Sequence, residues 1–175
     1  MRKILFIGHS VLAFYTNKQI DQWQIVNRAK QGTIAKDGWK LIEEEEILIN
    51  EFEAVFIMYG INEVYYQFNE RLVVDYLEKI VSRVRELSIN FPIIIAPIME
   101  TWPTNRLQPV KIHRINQKIQ ELAKCYDCVL FNWEEFYDSQ GEVDKKYTMD
   151  GIHLNSAGYL LFEKELSRIL VDLYN

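Results

Sequence analysis

The chain has 175 residues, 49% apolar and 26% charged, and its 20 Lys and Arg against 25 Asp and Glu leave a formal net charge of −5. At that size one domain, spanning residues 1–175, buries roughly 70% of its extended-chain surface and needs no disulfide or metal staple, while 7 Gly and 4 Pro are ordinary proportions that exclude collagen, coiled coil and disorder. An acidic balance without a block of Lys and Arg leaves no electrostatic footprint for nucleic acid or an anionic membrane surface.

Along the chain, apolar runs of strand length alternate with helix-period segments. Residues 3–7 carry the run Ile4-Leu5-Phe6-Ile7 and predict the first strand. Four apolar residues are too few for a signal-peptide core, and no run approaches the ~18 residues of a membrane helix, so the expected location is the cytoplasm. Residues 24–27 predict a weak second strand, 54–58 a third, 93–98 a fourth and 128–132 a fifth. The run Glu43-Glu44-Glu45-Glu46 reads as a solvated helix end; four carboxylates suit a helix C-terminus poorly, so that helix should stop before or within the run. Leu72, Val73, Tyr76, Ile80, Val84 and Leu87 recur at helical spacing over 69–87, with Asn69 placed to cap the N-terminus. Ile112, Ile115, Ile119 and Leu122 mark a helix over 110–124, and Leu160, Leu166, Ile169, Leu170 and Leu173 another over 156–174.

Continuously apolar strands such as Ile93-Ile94-Ile95-Ala96 belong in a parallel sheet covered on both faces. The alternation predicts an α/β fold: one doubly wound, five-stranded parallel sheet of flavodoxin-like order 2-1-3-4-5, with helices on both faces. Ligands in such sheets bind beyond the carboxyl ends of the strands where strand order reverses, here between the first and third. Chemistry is therefore expected just after Ile7 and just after Met58. Gly8-His9-Ser10 and Tyr59-Gly60-Ile61-Asn62-Glu63 meet that demand, and Asp150-Gly151-Ile152-His153 adds a third polar cluster before the last helix. A serine hydroxyl becomes a nucleophile only beside a base, usually a histidine held in one tautomer by a third group. Asp150 and His153, three residues apart, can face the same way on one turn. Asn62 can offer a side-chain amide to a developing oxyanion, and the Ser10 backbone N–H is a second donor.

Taken singly, each residue has a plainer reading. Ser10 could form only the turn into a helix, Asn62 could bond its own backbone, and Asp150 with His153 could be a surface pair or two metal ligands. Their joint occurrence at strand ends favours a hydrolase site. His113 is read as structural, on an exposed helix face. Cys125 and Cys128 are spaced C-x-x-C, but no second pair or suitably spaced histidines follow, and Cys128 begins a strand instead of a helix. They are read as reduced thiols.

The chain resembles the SGNH hydrolases, the GDSL-type esterases and lipases, whose blocks occur in order along it. Gly8-His9-Ser10 resembles the first block, which supplies the nucleophile. Asn27-Arg28-Ala29-Lys30-Gln31-Gly32 resembles the second, whose glycine donates a backbone N–H to the oxyanion, here Gly32, with Gly38 as the fallback. Gly60-Ile61-Asn62-Glu63 resembles the third, whose asparagine donates its amide. Asp150-Gly151-Ile152-His153 resembles the block that completes the triad. Three positions depart from the family pattern: His9 and Glu63 stand where Asp is usual, and Ala29 stands where Gly is usual.

The resemblance implies a serine esterase with Ser10, Asp150 and His153 as the triad. Ser10, Gly32 and Asn62 form the oxyanion hole, and no metal or organic cofactor is required. Tyr65, Tyr66 and Phe68 after the third block, and Trp102 with Pro103 after the fourth strand, are placed to line a substrate pocket, Tyr65, Tyr66 and Trp102 foremost. Small members of the family with a Gly-His-Ser block look similar to carbohydrate O-acetylesterases, including sialic-acid de-O-acetylases. The expected partner is thus a small-molecule acyl ester such as an acetylated sugar. Two alternatives stay open: an acyl-CoA thioesterase or lysophospholipase using the same site, and a binding module in which His9 has weakened the site. A metal-dependent hydrolase built on Asp150 and His153 is a more distant one.

Overall fold

The computed structural model describes residues 1–44 and 51–174, so Glu45 and Glu46 of the acidic run lie outside the described residues. A single sheet organises the rest. Its strands are β1 (Arg2–Gly8), β2 (Gln19–Ile20), β3 (Trp23–Asn27), β4 (Ala54–Met58), β5 (Ile93–Ile95) and β6 (Val129–Leu130). They lie in the order β2-β3-β1-β4-β5-β6. The five strands from β3 to β6 are mutually parallel and reproduce the expected 2-1-3-4-5 order. The sheet nevertheless has six strands, not five, because β2 adds an antiparallel edge to β3 through Gln19↔Gln24 and Ile20↔Trp23. Two residues are too short a run to register as a period, and a strand this short leaves little open edge for another chain to pair with.

Strand alternation divides the core. On β1, Leu5 and Ile7 face one side of the sheet while Ile4 and Phe6 face the other; on β4, Val55 and Ile57 oppose Ala54, Phe56 and Met58. The first side is covered by α2 (Ala35–Glu44), α3 (Ile61–Tyr65), α4 (Glu70–Leu87) and α5 (Pro109–Cys125), and its core is mainly Ile, Leu and Val. The second is covered by α1 (Ser10–Ala13) and α6 (Ser156–Asp172) and is rich in rings: Phe6, Phe56, Phe131, Phe136, Phe162, Trp23 and Trp133. Phe162 packs against Phe6, Tyr15, Phe56 and Phe131 at centroid separations of 5.1–6.3 Å, within the range of favourable ring pairs.

The long helices stand where the periodicity puts them, and Asn69 caps α4 by accepting a hydrogen bond from Arg71 N at 3.0 Å. Besides β2, three helices escaped periodicity in whole or in part. Helices α1 and α3 have four and five residues, shorter than the pattern needs, and α2 was expected only at its acidic end. Among the described residues no helix is long and apolar enough to cross a membrane.

Candidate active site

β1 ends at Gly8, where the chain must pass close to its neighbour: a Cβ built there would sit 2.7 Å from the Met58 carbonyl oxygen. His9 N then donates to that same oxygen at 3.2 Å, tying the turn to the end of β4. The His9 side chain folds back, its Nδ1 accepting from Val11 N at 3.4 Å, and so caps α1. Burial, helped by the nearby charge of His153, lowers the His9 pKa to about 3, so the imidazole is neutral. Ser10 opens α1 and is buried.

Ser10 Oγ lies 2.9 Å from His153 Nε2, across 143 positions of sequence. His153 Nδ1 lies 2.7 Å from Asp150 Oδ2. Asp150 is in turn fixed by the backbone of its own turn: Oδ1 accepts from Ile152 N at 3.0 Å and His153 N at 2.8 Å. Partial burial pushes the Asp150 carboxyl up, but those two amides and the imidazole outweigh it and hold the pKa below the ordinary carboxylate value. Gly151 makes the turn possible, with φ of +86° and no room for a Cβ, which would lie 2.7 Å from the Trp102 ring. Thr148 Oγ1 clamps both ends, donating to the His153 carbonyl at 2.8 Å and accepting from Gly151 N at 2.9 Å.

The second and third blocks converge from the other face. Lys30 N and Thr33 Oγ1 both donate to the Gly8 carbonyl, at 3.0 and 2.9 Å, which pins the loop after β3 to the end of β1. Asn62 Nδ2 donates to Thr33 O at 2.7 Å; an amide has two N–H bonds, so one remains. Gly32 lies exposed in this loop with φ of +76°, a conformation that favours glycine. Gly38, the fallback donor, is instead interior to α2. Its N–H is bonded to Ile34 O at 3.3 Å, and it is small because the Tyr59 ring rests where a Cβ would be, 2.5 Å away. Glu63, where the family usually has Asp, caps α2 from a distance: its buried Oε1 accepts from Ala35 N at 2.7 Å while Oε2 has no partner. Burial raises its pKa.

Of the three pocket residues, Trp102 is the one joined to the triad loop, under Gly151, with its Nε1 donating to Val143 O at 2.8 Å. Tyr65 and Tyr66 stand exposed at the end of α3, packed edge to face at 5.4 Å, with Arg106 over Tyr65 at 4.8 Å. His113 is exposed on α5, as expected, 3.6 Å from Glu100. Cys125 and Cys128 are both free thiols. Two participants escaped the sequence reading. Phe14 lies with its ring 5.3 Å from that of His153, and its position one helical turn after Ser10 was the available signal. Thr148, two residues before Asp150, carried the pattern of a hydroxyl-capped turn. A small cavity of about 20 Å³ is bordered by His9, Val11 and Ile152, the sequence neighbours of Ser10 and His153, together with Met58, Tyr59 and Trp133; Ser10, Asp150 and His153 do not themselves line it. Among the described residues no group of three or more His, Cys, Asp or Glu side chains is placed to hold a metal ion.

Comparison with known proteins bears on the fold and the family. The N-acylneuraminate cytidylyltransferase of Escherichia coli O18:K1:H7 (strain RS218 / NMEC) is 26% identical over 168 residues, 95% of this chain; the chain spans only 40% of that relative's length. Among solved structures, a GDSL-like lipase from Bacteroides thetaiotaomicron VPI-5482 superposes with a TM-score of 0.82 at 16% identity, covering 98% of this chain and 88% of the other. A catalytic mutant of an acetylxylan esterase from Geobacillus stearothermophilus gives 0.77 at 15% identity, with 95% and 93% covered. At these identities the superpositions establish the fold. The family model for GDSL-like lipase/acylhydrolase matches residues 10–161, which is most of the chain. The chain therefore belongs to the GDSL-like lipase/acylhydrolase family.

Proposed function

We propose that this hydrolase removes short acyl groups, acetyl first among them, from a carbohydrate alcohol, sialic acid being the favoured sugar. The observation that carries the reading is the relay from Ser10 through His153 to Asp150, joined by contacts of 2.9 and 2.7 Å. With Nδ1–H donating to Asp150, the imidazole presents an unprotonated Nε2 to the serine hydroxyl. Ser10 Oγ attacks the acyl carbonyl as His153 takes its proton, and the alcohol leaves with that proton. Water then attacks the acyl-enzyme through the same histidine and releases the carboxylic acid. Asp150 keeps the imidazole oriented and stabilises its charged form. The Ser10 and Gly32 N–H groups and the remaining Asn62 N–H stabilise the oxyanion.

The preference for a short acyl group rests on the cavity beside the triad. A volume of about 20 Å³ accommodates one water-sized group and matches a methyl far better than an alkyl chain. The sugar-acid reading is supported by the cytidylyltransferase relative, whose name gives an N-acylneuraminate as its substrate class. The test is an ester panel running from acetylated sugars through p-nitrophenyl acetate to decanoyl esters and long-chain thioesters. Wild type should act fastest on acetyl esters, and Ser10→Ala should lose on the order of 10⁵–10⁶ in kcat. A rate that climbs from acetyl to decanoyl would assign the site to thioesterase or lysophospholipase chemistry. Activity that survives Ser10→Ala would remove the triad.

A further inference from the structure

The site has a second concavity, on the opposite side of β1 from the acyl cavity. It is lined by Arg28, Lys30, Thr33, Asp37, Lys40, Leu41 and Tyr59 and encloses about 180 Å³ of solvent space. Ser10, Asn62, Asp150 and His153 do not line it, but its loop is tied by hydrogen bonds to their neighbourhood. Lys30 N bonds to Gly8, two positions before Ser10, and Thr33 O accepts from the Asn62 amide. Tyr59 lines both this pocket and the acyl cavity.

Its charge is at odds with the rest of the molecule. In a chain of net charge −5, three cations converge here with one carboxylate. Among the described residues none of Arg28, Lys30 and Lys40 forms an ion pair, which they share with most Lys and Arg of the chain; what sets them apart is that all three border one concavity. Asp37 does not offset all three, and its Oδ2 is already engaged by Ile34 N at 3.0 Å in the first turn of α2. Like charges gathered around one concavity repel one another, a ligand of opposite sign relieves that repulsion, and a cleft focuses their field. An ester whose acyl methyl enters the cavity on the β4 side directs its alcohol portion toward this pocket on the β3 side.

We infer that Arg28, Lys30 and Lys40 form a subsite for a compact anionic group, a carboxylate or a phosphate, carried on the alcohol portion of the substrate. This inference rests on the esterase reading for its direction, since acyl and alcohol portions branch from the attacked carbonyl carbon in different directions. Arg28 supplies a planar fork suited to two anionic oxygens, and the lysines supply movable point charges.

The test pairs kinetics with binding. Acetyl esters of a sugar carboxylate, of a sugar phosphate and of the matched uncharged sugar methyl ester are compared on wild type and on Lys30→Gln/Lys40→Gln. Wild type should prefer one of the charged esters, and which one identifies the anion. In the double variant the ratio of kcat/KM for charged over neutral ester should fall about tenfold, carried by KM, and raising the salt concentration should erode the wild-type preference similarly. Calorimetric binding of N-acetylneuraminate, N-acetylglucosamine 6-phosphate and N-acetylneuraminate methyl ester requires no turnover, so it reports on the subsite even if Ser10 proves not to be the nucleophile. Equal binding of charged and uncharged probes, or an unchanged ratio in the double variant, overturns the subsite and leaves the esterase reading intact.

Discussion

The two faces of the sheet carry different halves of the site and are built from different materials. The ring-rich face holds α1, which begins at Ser10, and the turn that carries Asp150 and His153 just before α6. The aliphatic face holds the loop of Gly32 and Thr33 leading into α2, and Asn62 at the start of α3. On our reading the first half moves the proton and forms the bond, while the second receives the negative charge. Large rings with few rotamers suit the half in which two side chains from opposite ends of the chain must meet within 2.9 Å. On the other half the donors are held by backbone hydrogen bonds to the strand end itself, and the packing beneath can be looser aliphatic fill.

Acid should separate the halves most strongly. His9 belongs to the ring-rich half, and its pKa is lowered to about 3 by burial first and by His153 second. A base with a depressed folded pKa contributes stability that is present above its unfolded value near 6.5 and lost as pH falls toward 3, here on the order of 4–5 kcal/mol in full. Denaturant unfolding at pH 7, 5 and 4 should show wild type losing more than His9→Asn, which keeps a capping acceptor but cannot ionise. Equal losses in the two proteins would refute the buried neutral imidazole. Phe162→Ala comes next, at about 3–5 kcal/mol, because a fully buried ring with four ring neighbours leaves a cavity the sheet cannot close. A loss under about 1 kcal/mol in urea titration would show that this face is less rigid than its packing implies.

Asn62→Ala probes the other half through rate. Loss of one oxyanion donor should lower kcat by about 10²–10³ while leaving fluorophosphonate labelling of Ser10 detectable. Full activity would remove Asn62 from the hole. The smallest effect belongs to Glu63, whose pKa is raised by burial. A carboxyl raised in the folded state contributes stability that is present at low pH and lost as pH climbs through that raised value. Glu63→Gln should therefore show a flatter pH profile of Tm than wild type between pH 5 and 8, and parallel profiles would contradict it.

Legibility in the sequence followed the same division. The parallel strand order and the long helices were readable because buried strands are uniformly apolar and helices of 17 or 18 residues repeat their stripe several times. The convergence of Ser10, Asp150 and His153 could be expected because strand ends and a four-residue turn constrain where they can go. What escaped was short or depended on a partner distant in sequence. β2 has two residues, and Gly38 looked like a loop donor until Tyr59 was found lying against it. Trp102 is expected as a pocket wall, and the structure adds that its ring packs under Gly151, in the turn that holds His153. Only the three-dimensional neighbour distinguishes an aromatic that touches substrate from one that supports what does.

Two tyrosine hydroxyls fasten α1 to α6: Tyr159 donates to the Val11 carbonyl at 2.7 Å, and Tyr15 to Glu163 at 2.9 Å. Asp150 and His153 carry their geometry within one turn, so the pairing of nucleophile with base reduces to whether these two helices stay fastened. With Ser10 and His153 acting as proposed, a partial opening that lifted α6 away, while the sheet and the aliphatic face stayed folded, would separate the pair before any global unfolding signal appeared. Ester turnover is then a more sensitive gauge of local integrity in this molecule than circular dichroism or melting temperature.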